Sequence, residues 1–250
     1  MIQLVDSLNE MVDQYESEKV HIKKSEENLH LSITDLSHDL RTPLTVIDGY
    51  IQLLRHTDDP TKKMQYLDII EQSVSKLVEM TNQFYDLTRI DINQKGMELS
   101  KITLNEIVQD DFLNFFDSFE TAGVEIHFED NQPRINILAD KVLLNRVIQN
   151  VIQNILRYAK DEVHIEFAQD NKFGSVMIKN NIKSESRVSI EKVFDRFYTE
   201  KQSRTNAESS GLGLYISKRM IENMNGSMDA ELNNQQFLIK IKLPSLEVEV

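Results

Sequence analysis

The chain has 250 residues, room for one large or two modest domains, with 40% hydrophobic and 28% charged residues. A formal charge of −13 argues against nucleic acid and against anionic lipid, both of which call for a basic face. With no cysteine, disulfides, thiol catalysis and cysteine-based metal sites are excluded, which fits a cytoplasmic setting.

Residues 1 to about 56 predict one nearly continuous helix. Leu8, Tyr15, Ile22, Leu29 and Leu36 recur at intervals of seven, the seam of a coiled coil. The companion row decays from Leu4 and Met11 to Glu18, Ser25 and Ser32, so a parallel dimer and a frayed, signal-responsive helix are both readable. From Leu36 the row continues as Leu40, Leu44, Ile47, Ile51 and Leu54, a solid apolar stripe.

Within this helix lies Ser37-His38-Asp39-Leu40-Arg41-Thr42-Pro43-Leu44. A neutral imidazole is a nucleophile for phosphoryl groups, and an adjacent carboxylate can orient it and take its proton. Pro43 removes a backbone donor and clashes with the carbonyl of Asp39, so the helix is expected to bend at the histidine. His38 is expected on a face beside the apolar stripe, outside the core. A histidine followed by an acid is by itself more often structural.

The turn residues His56-Thr57-Asp58-Asp59-Pro60 end the helix. A second helix is expected from about Thr61 to Arg89, with Leu67, Ile70, Val74, Leu77, Thr81, Phe84 and Thr88 on one face. One hairpin cannot bury both stripes, so two copies are expected to form a four-helix bundle. Asp91-Ile92-Asn93-Gln94-Lys95-Gly96 is the expected linker.

Beyond it, helices are expected at about 105–120, 140–159 and 212–224. Strands are expected at 124–128, 134–138, 162–168, 174–180 and 236–243. Interleaved in this way, they predict a two-layer α/β sandwich. The helix opening at the N-cap Asp140 carries Asn150, Asn154 and Tyr158 at steps of four, on one face. Two readings stand at this point: surface asparagines, or oxygen donors for Mg²⁺.

The strand Ser175-Val176-Met177-Ile178-Lys179-Asn180-Asn181 ends in asparagines. Asn180 shares parity with Val176 and Ile178, and from the residues alone it is equally a strand-end turn residue. Phe194-Asp195-Arg196-Phe197-Tyr198 offers two aromatics three apart, either helix core or buttresses for a mobile loop. Residues 199 to 210 are rich in Ser, Thr and Asn, a candidate lid. Within it, Lys201 and Arg204 are either triphosphate ligands or a solvated charge pair. Gly211-Leu212-Gly213-Leu214 then precedes an apolar helical run, where glycines allow close backbone approach and free helix amides favour phosphate. His21, His30, His56, His127 and His164 show no shared ligand spacing and read as surface or strand residues.

Taken in order over roughly residues 30–244, these segments resemble the boxes of two-component sensor histidine kinases. The octapeptide is similar to the phosphoacceptor box, and the Asn150–Tyr158 run to the N box. The Phe194 and Gly211 segments match the F and G2 boxes. The resemblance implies an α plus α/β chain: a dimeric helical-hairpin four-helix bundle followed by a two-layer α/β sandwich ATPase domain of the Bergerat type. It implies a signalling helix over 1–30, a dimerisation and histidine phosphotransfer domain over 31–90, and an ATP-binding catalytic domain over 97–246.

In the function so implied, His38 attacks the γ-phosphoryl of Mg·ATP, with Asp39 as base. The phosphoryl group then passes to an aspartate of a response regulator receiver domain, and Thr42, one turn beyond His38, orients water for the reverse dephosphorylation. Asn154 is the implied Mg²⁺ ligand, supported by Asn150. Arg157 sits near the phosphates, and Tyr158 lines the adenine pocket. Asn180 stands where the family has an aspartate that accepts from the adenine amino group. Phe197 buttresses the candidate lid, Lys201 and Arg204 lie within it facing the triphosphate, and Gly211, Leu212 and Gly213 form the phosphate turn.

The family's glycines after that acceptor are replaced by Ile182-Lys183-Ser184-Glu185-Ser186-Arg187-Val188. This departure supports a second reading, a phosphatase-biased pseudokinase or non-catalytic interaction module. A third, an ATPase of the gyrase or chaperone type, is opposed by the attached His38 hairpin. No apolar run reaches the roughly 18–20 residues that span a bilayer, and no signal peptide is evident. A cytoplasmic homodimer is expected, held at the inner face of a membrane where a sensory or membrane segment lies upstream.

Overall fold

The computed structural model describes residue 19, residue 37 and residues 40–92, 97–129, 134–183, 188–196, 198–199 and 211–246. It divides into two units, Met1–Asp91 and Ile92–Val250. In the first unit, helix α1 covers residues 40–56 and helix α2 covers Pro60–Ile92. Asp59 fixes the start of α2. Its Oδ1 accepts from the backbone amides of Thr61 at 2.9 Å and Lys62 at 3.4 Å. Pro60 follows in the first helical position, where its missing N–H costs nothing. The expected coiled-coil seam and the expected bend at His38 lie outside the described residues.

The hairpin leaves much of its apolar surface uncovered. The Tyr50 and Tyr66 rings meet across it at 5.4 Å, and Ile47, Ile70 and Leu77 are half-buried. Yet Leu44 is 54% exposed and Val78 56%, and Ile51, Leu67 and Val74 are also exposed. The stripe is thus split between an inner edge and an outer one.

The second unit is a sheet covered by helices. It opens with strand β1 (Ser100–Thr103), helices α3 (Leu104–Asn114) and α4 (Phe116–Ala122), and strands β2 (Glu125–Phe128) and β3 (Asn136–Ala139). There follow α5 (Lys141–Tyr158), β4 (Ala159–Gln169), β5 (Phe173–Ile182), a 3₁₀ turn at Ile190–Lys192, α6 (Gly213–Asn223), β6 (Ser227–Asn233) and β7 (Gln236–Pro244). The main sheet has the order β2-β4-β5-β7-β6, with β2–β4 parallel and the other pairs antiparallel. Strands β1 and β3 form a separate antiparallel pair.

Alternation along the strands sorts the two faces. Val163, Ile165 and Phe167 of β4, Val176 and Ile178 of β5, and Ile239, Ile241 and Leu243 of β7 are buried. From the helices, Leu104, Val108 and Phe112 of α3 are buried. So are Leu144, Val147, Ile148, Val151, Ile152 and Ile155 of α5, and Ile216, Met220 and Ile221 of α6. Each such side chain contributes about 1.5–3 kcal/mol when fully buried. Gly226 lets the chain leave α6 against β7: a Cβ there would stand 2.3 Å from the Lys242 carbonyl oxygen.

The structure corrects the expected elements at four points. The helix expected over 105–120 is two helices, parted at Phe115 (φ −101°, ψ 10°). Strand β1 was not expected. Nor was β6, which turns into β7 through Asn234 and Gln235, both at positive φ (48° and 67°). Finally, His127 and His164, read as unrelated, are Cα partners across β2 and β4.

Candidate functional site

Helix α5 is set by Asp140, whose Oδ1 accepts from the amides of Val142 at 2.9 Å and Leu143 at 3.2 Å. Asn150 donates from Nδ2 to the hydroxyl of Ser217 at 3.2 Å and to the carbonyl of Gly213 at 3.5 Å. Ser217 is fully buried, so this polar pair lies inside the contact between the helices. A hydrogen bond made there carries its full worth, because losing one partner strands the other.

One turn on, Asn154 donates from Nδ2 to the carbonyl of Asn150 at 2.8 Å. The amide nitrogen is thereby committed to the helix, which leaves the side-chain oxygen as an acceptor. An oxygen donor of this kind fits Mg²⁺, which takes hard oxygen ligands. At the end of the helix, Arg157 and Tyr158 are half-buried. The carbonyl of Arg157 accepts from Lys183 Nζ, and that of Tyr158 from the Lys183 amide, both at 3.4 Å. The last turn of α5 is therefore tied to the chain leaving β5.

Asn180 stands near that end of β5 and is only 3% exposed. It pairs with Val163 on one side and Phe237 on the other. Its Nδ2 donates to the Asn181 carbonyl at 3.3 Å, again leaving the oxygen as acceptor. A buried amide among apolar strands is costly unless used.

The turn into α6 begins at Gly211, whose φ of +67° is the left-handed region open to glycine at little strain. Leu212 is buried and its carbonyl accepts from Ile216, which starts α6. Gly213 faces Asn150 at 3.9 Å from a notional Cβ, an ordinary contact. Its place in the turn is not forced by crowding there. No acidic residue lies in the first turn of α6, so no carboxylate of that turn offsets the positive end of the helix dipole.

The segment over residues 193–196 is held against α6 by cations and rings. Arg196 donates to the Tyr215 hydroxyl at 2.6 Å and stacks over the same ring at 4.6 Å. Lys218 lies over the Phe194 ring at 4.5 Å. Phe194, expected as an apolar buttress, is half-buried, and Val193 is the buried residue of this turn. The Tyr198 hydroxyl accepts from the Ser189 amide at 2.7 Å.

The structure thus brings together Asn150, Asn154, Gly213 and Ser217. Asn180, Arg157 and Tyr158 sit at the adjoining ends of β5 and α5. Thr42 is exposed on α1. His38, Asp39, Phe197, Lys201 and Arg204 lie outside the described residues. Ser217 escaped the sequence reading, although its place four residues after Gly213 puts it over the first turn of the same helix.

Comparison with known proteins gives two family matches. Residues 30–93 match the His Kinase A (phospho-acceptor) domain. Residues 139–246 match the Histidine kinase-, DNA gyrase B-, and HSP90-like ATPase. The chain is 28% identical over 235 residues to the sensor histidine kinase YcbM of Bacillus subtilis (91% of this chain, 75% of that protein). It is 30% identical over 229 residues to the sensor protein kinase WalK of Staphylococcus epidermidis (87% and 37%). With the histidine-protein kinase ArlS of Staphylococcus haemolyticus it shares 25% over 237 residues (92% and 50%). The chain therefore spans half or less of two of these relatives.

Among solved structures, the histidine kinase AdeS of Acinetobacter baumannii has the same fold at a TM-score of 0.68 and 17% identity, covering 84% of this chain and 98% of that one. The histidine kinase ThkA in complex with the response regulator protein TrrA gives a TM-score of 0.72 at 21% identity, covering 90% and 65%.

Proposed function

We propose a function on the premise that the chain belongs to the two-component sensor histidine kinases, a helical phosphoacceptor region followed by an α/β ATPase domain. It is an ATP-dependent protein-histidine kinase that phosphorylates itself on His38 and hands the phosphoryl group to an aspartate of a response regulator. The observation that carries this reading is the Asn150 bond into the first turn of α6. It couples the helix bearing Asn154 to the turn expected to take the triphosphate.

The residues divide the work as follows. The first-turn amides of α6 and the backbone at Gly211 receive phosphate oxygens. The Asn154 oxygen would hold Mg²⁺, which when bound supplies charge neutralisation across the phosphates. Asn180, its oxygen free to accept, takes the bond from the adenine amino group. Arg157, Tyr158, Phe197, Lys201, Arg204, Leu212 and Gly213 are assigned to the same nucleotide site, the last two on the turn itself. An imidazole nitrogen of His38 forms the new P–N bond as the bond to the ADP oxygen breaks, and Asp39 takes the imidazole proton. Thr42, exposed on α1, orients the water that later removes the phosphoryl group from the regulator.

The working unit is a homodimer. Leu44, Ile51, Leu67, Val74 and Val78, exposed along the hairpin, supply the apolar surface that a second hairpin would cover in a four-helix bundle. No helix among the described residues is long and apolar enough to cross a membrane. The proposed setting is the cytoplasm, and the greater length of the relatives supports a sensory or membrane segment elsewhere in the whole protein.

The test is incubation with γ-labelled ATP. Label on the chain that is lost by acid, survives base and disappears in His38→Gln is expected. His38→Gln should still bind a fluorescent ATP analogue. Label retained in that variant would refute the assignment. The segment 182–188, which lacks the family's glycines, favours one rival, a phosphatase-biased pseudokinase. It would be chosen if the wild-type chain dephosphorylates the regulator without taking label.

A further inference from the structure

We propose that the outer face of the main sheet carries a second, independent site, which binds a divalent transition-metal ion of the zinc class through His127, Glu162 and His164. The parallel register sets His127 directly opposite His164 and Glu125 opposite Glu162. Side chains at such paired positions leave the same face. That face is the solvent one, since Val163 and Ile165, the alternate residues of β4, are fully buried on the other.

The donor atoms converge. The Nε2 of His164 lies 3.3 Å from Glu162 Oε2, and the Nε2 of His127 lies 4.0 Å from the same oxygen. One ligand atom from each of the three residues lies within 4.8 Å of the other two. Zinc binds imidazole nitrogen and carboxylate oxygen at about 2.0–2.2 Å, which places tetrahedral ligands roughly 3.3 Å apart. One pair already meets that spacing, and the others reach it by side-chain rotation. The two rings stack at 4.8 Å with an 18° tilt, which holds both imidazoles side by side next to Glu162.

Glu162 is oriented for the task. Its Oε1 accepts from Asn181 Nδ2 at 3.2 Å, leaving Oε2 toward the histidines. This is the second layer that well-formed metal sites use to fix a ligand. Neighbouring carboxylates are already engaged: Asp161 with Lys160 at 3.7 Å, and Glu166 with Lys179. Glu125, 80% exposed and 3.5 Å from His127 Nε2, adds negative charge at the rim. Three protein ligands leave one position for water, the pattern of an exchangeable ion. The mixed nitrogen and oxygen set selects zinc, copper or nickel over Mg²⁺.

Asn181 follows Asn180 in β5, so the two asparagines project to opposite faces of the sheet. The metal face is thereby backed directly onto the residue assigned to adenine.

The experiment is calorimetric titration of the full chain with Zn²⁺ in the absence of nucleotide, comparing wild type with His127→Ala, His164→Ala and Glu162→Gln. One equivalent is expected to bind, at least tenfold more weakly in each variant, with metal-free thermal unfolding unchanged. Wild-type affinity in a chain carrying both histidine substitutions would overturn the proposal. In the wild type, Zn²⁺ should move the ring proton resonances of His127 and His164, and movement confined to other histidines would equally overturn it.

Discussion

The Asn150 side chain donates to the Ser217 hydroxyl across 3.2 Å, and Ser217 is fully buried. Together with the one to the Gly213 carbonyl, this bond ties α5, which bears Asn154, to the opening of α6. Ser217→Ala removes the acceptor and leaves the Asn150 amide only the longer bond to the Gly213 carbonyl. The expected cost is about 1 kcal/mol by urea denaturation. Nucleotide affinity should fall roughly fivefold, about the same free energy. Unchanged affinity with lowered stability would confine the pair to a structural role.

Asn154→Ala should act on chemistry more than on folding. Its amide bond to the Asn150 carbonyl is local to one helix turn, so its loss costs about 0.5–1.5 kcal/mol. The oxygen assigned to Mg²⁺ goes with it, and labelling should fall about a hundredfold or more. Asn154→Asp keeps an oxygen donor and should recover part of the activity. Labelling at the wild-type rate in Asn154→Ala would remove the residue from the site.

Much of this was legible because the patterns are periodic. The steps of four through Asn150, Asn154 and Tyr158 fixed one helix face, and Asp140 fixed where that helix begins. Asn180 shares strand parity with Val176 and Ile178, and the structure buries it with them, at 3% exposure. Strand β6 was missed although Met228, Ala230 and Leu232 alternate with Asp229 and Glu231. Its turn uses Asn234 and Gln235 in place of the glycine that usually marks positive φ. The His127–His164 pair depends on the register between two strands 37 positions apart in the chain, which no local spacing encodes. At the break of α3 from α4 at Phe115, the Phe112 and Phe119 rings stack at 5.6 Å, and Phe112 also meets the Phe128 ring of β2 at 5.8 Å.

Asp111 should give the second unit a pH-dependent stability. It is 3% exposed, and its Oδ2 is buried with no hydrogen-bond partner among the described residues. Burial pushes its carboxyl above the ordinary value of 3.8, opposed by the Gln149 amide and assisted by the charge of Asp110. Because the folded value is raised, the contribution of Asp111 is fully present below 3.8 and is lost as pH rises through the raised value. Asp111→Asn keeps an oxygen for Gln149, which donates at 3.0 Å, and removes the titration. The stability of the variant relative to wild type should therefore increase from acid to neutral pH in urea unfolding series. A difference that stays flat with pH would show that Asp111 does not titrate in that range.

Two glycine-to-alanine changes should shift stability in opposite directions. Gly49 lies inside helix α1, and a Cβ there meets nothing within 4 Å. Alanine loses less backbone entropy on folding, so Gly49→Ala should stabilise the hairpin by about 0.5–1 kcal/mol. At Gly226 the added carbon would stand 2.3 Å from the Lys242 carbonyl oxygen and 2.9 Å from Ile221 Cγ2. The first of these is backbone of β7, held by its pairing with β6 at Ser227↔Lys242, and it cannot swing aside as a flexible side chain would. Gly226→Ala should therefore cost about 1–3 kcal/mol through overpacking and should loosen α6 at the end opposite Gly213. Thermal unfolding of the two variants beside wild type checks both signs. A Gly226→Ala chain as stable as wild type would mean that the α6–β6 junction relaxes more readily than its close contacts imply.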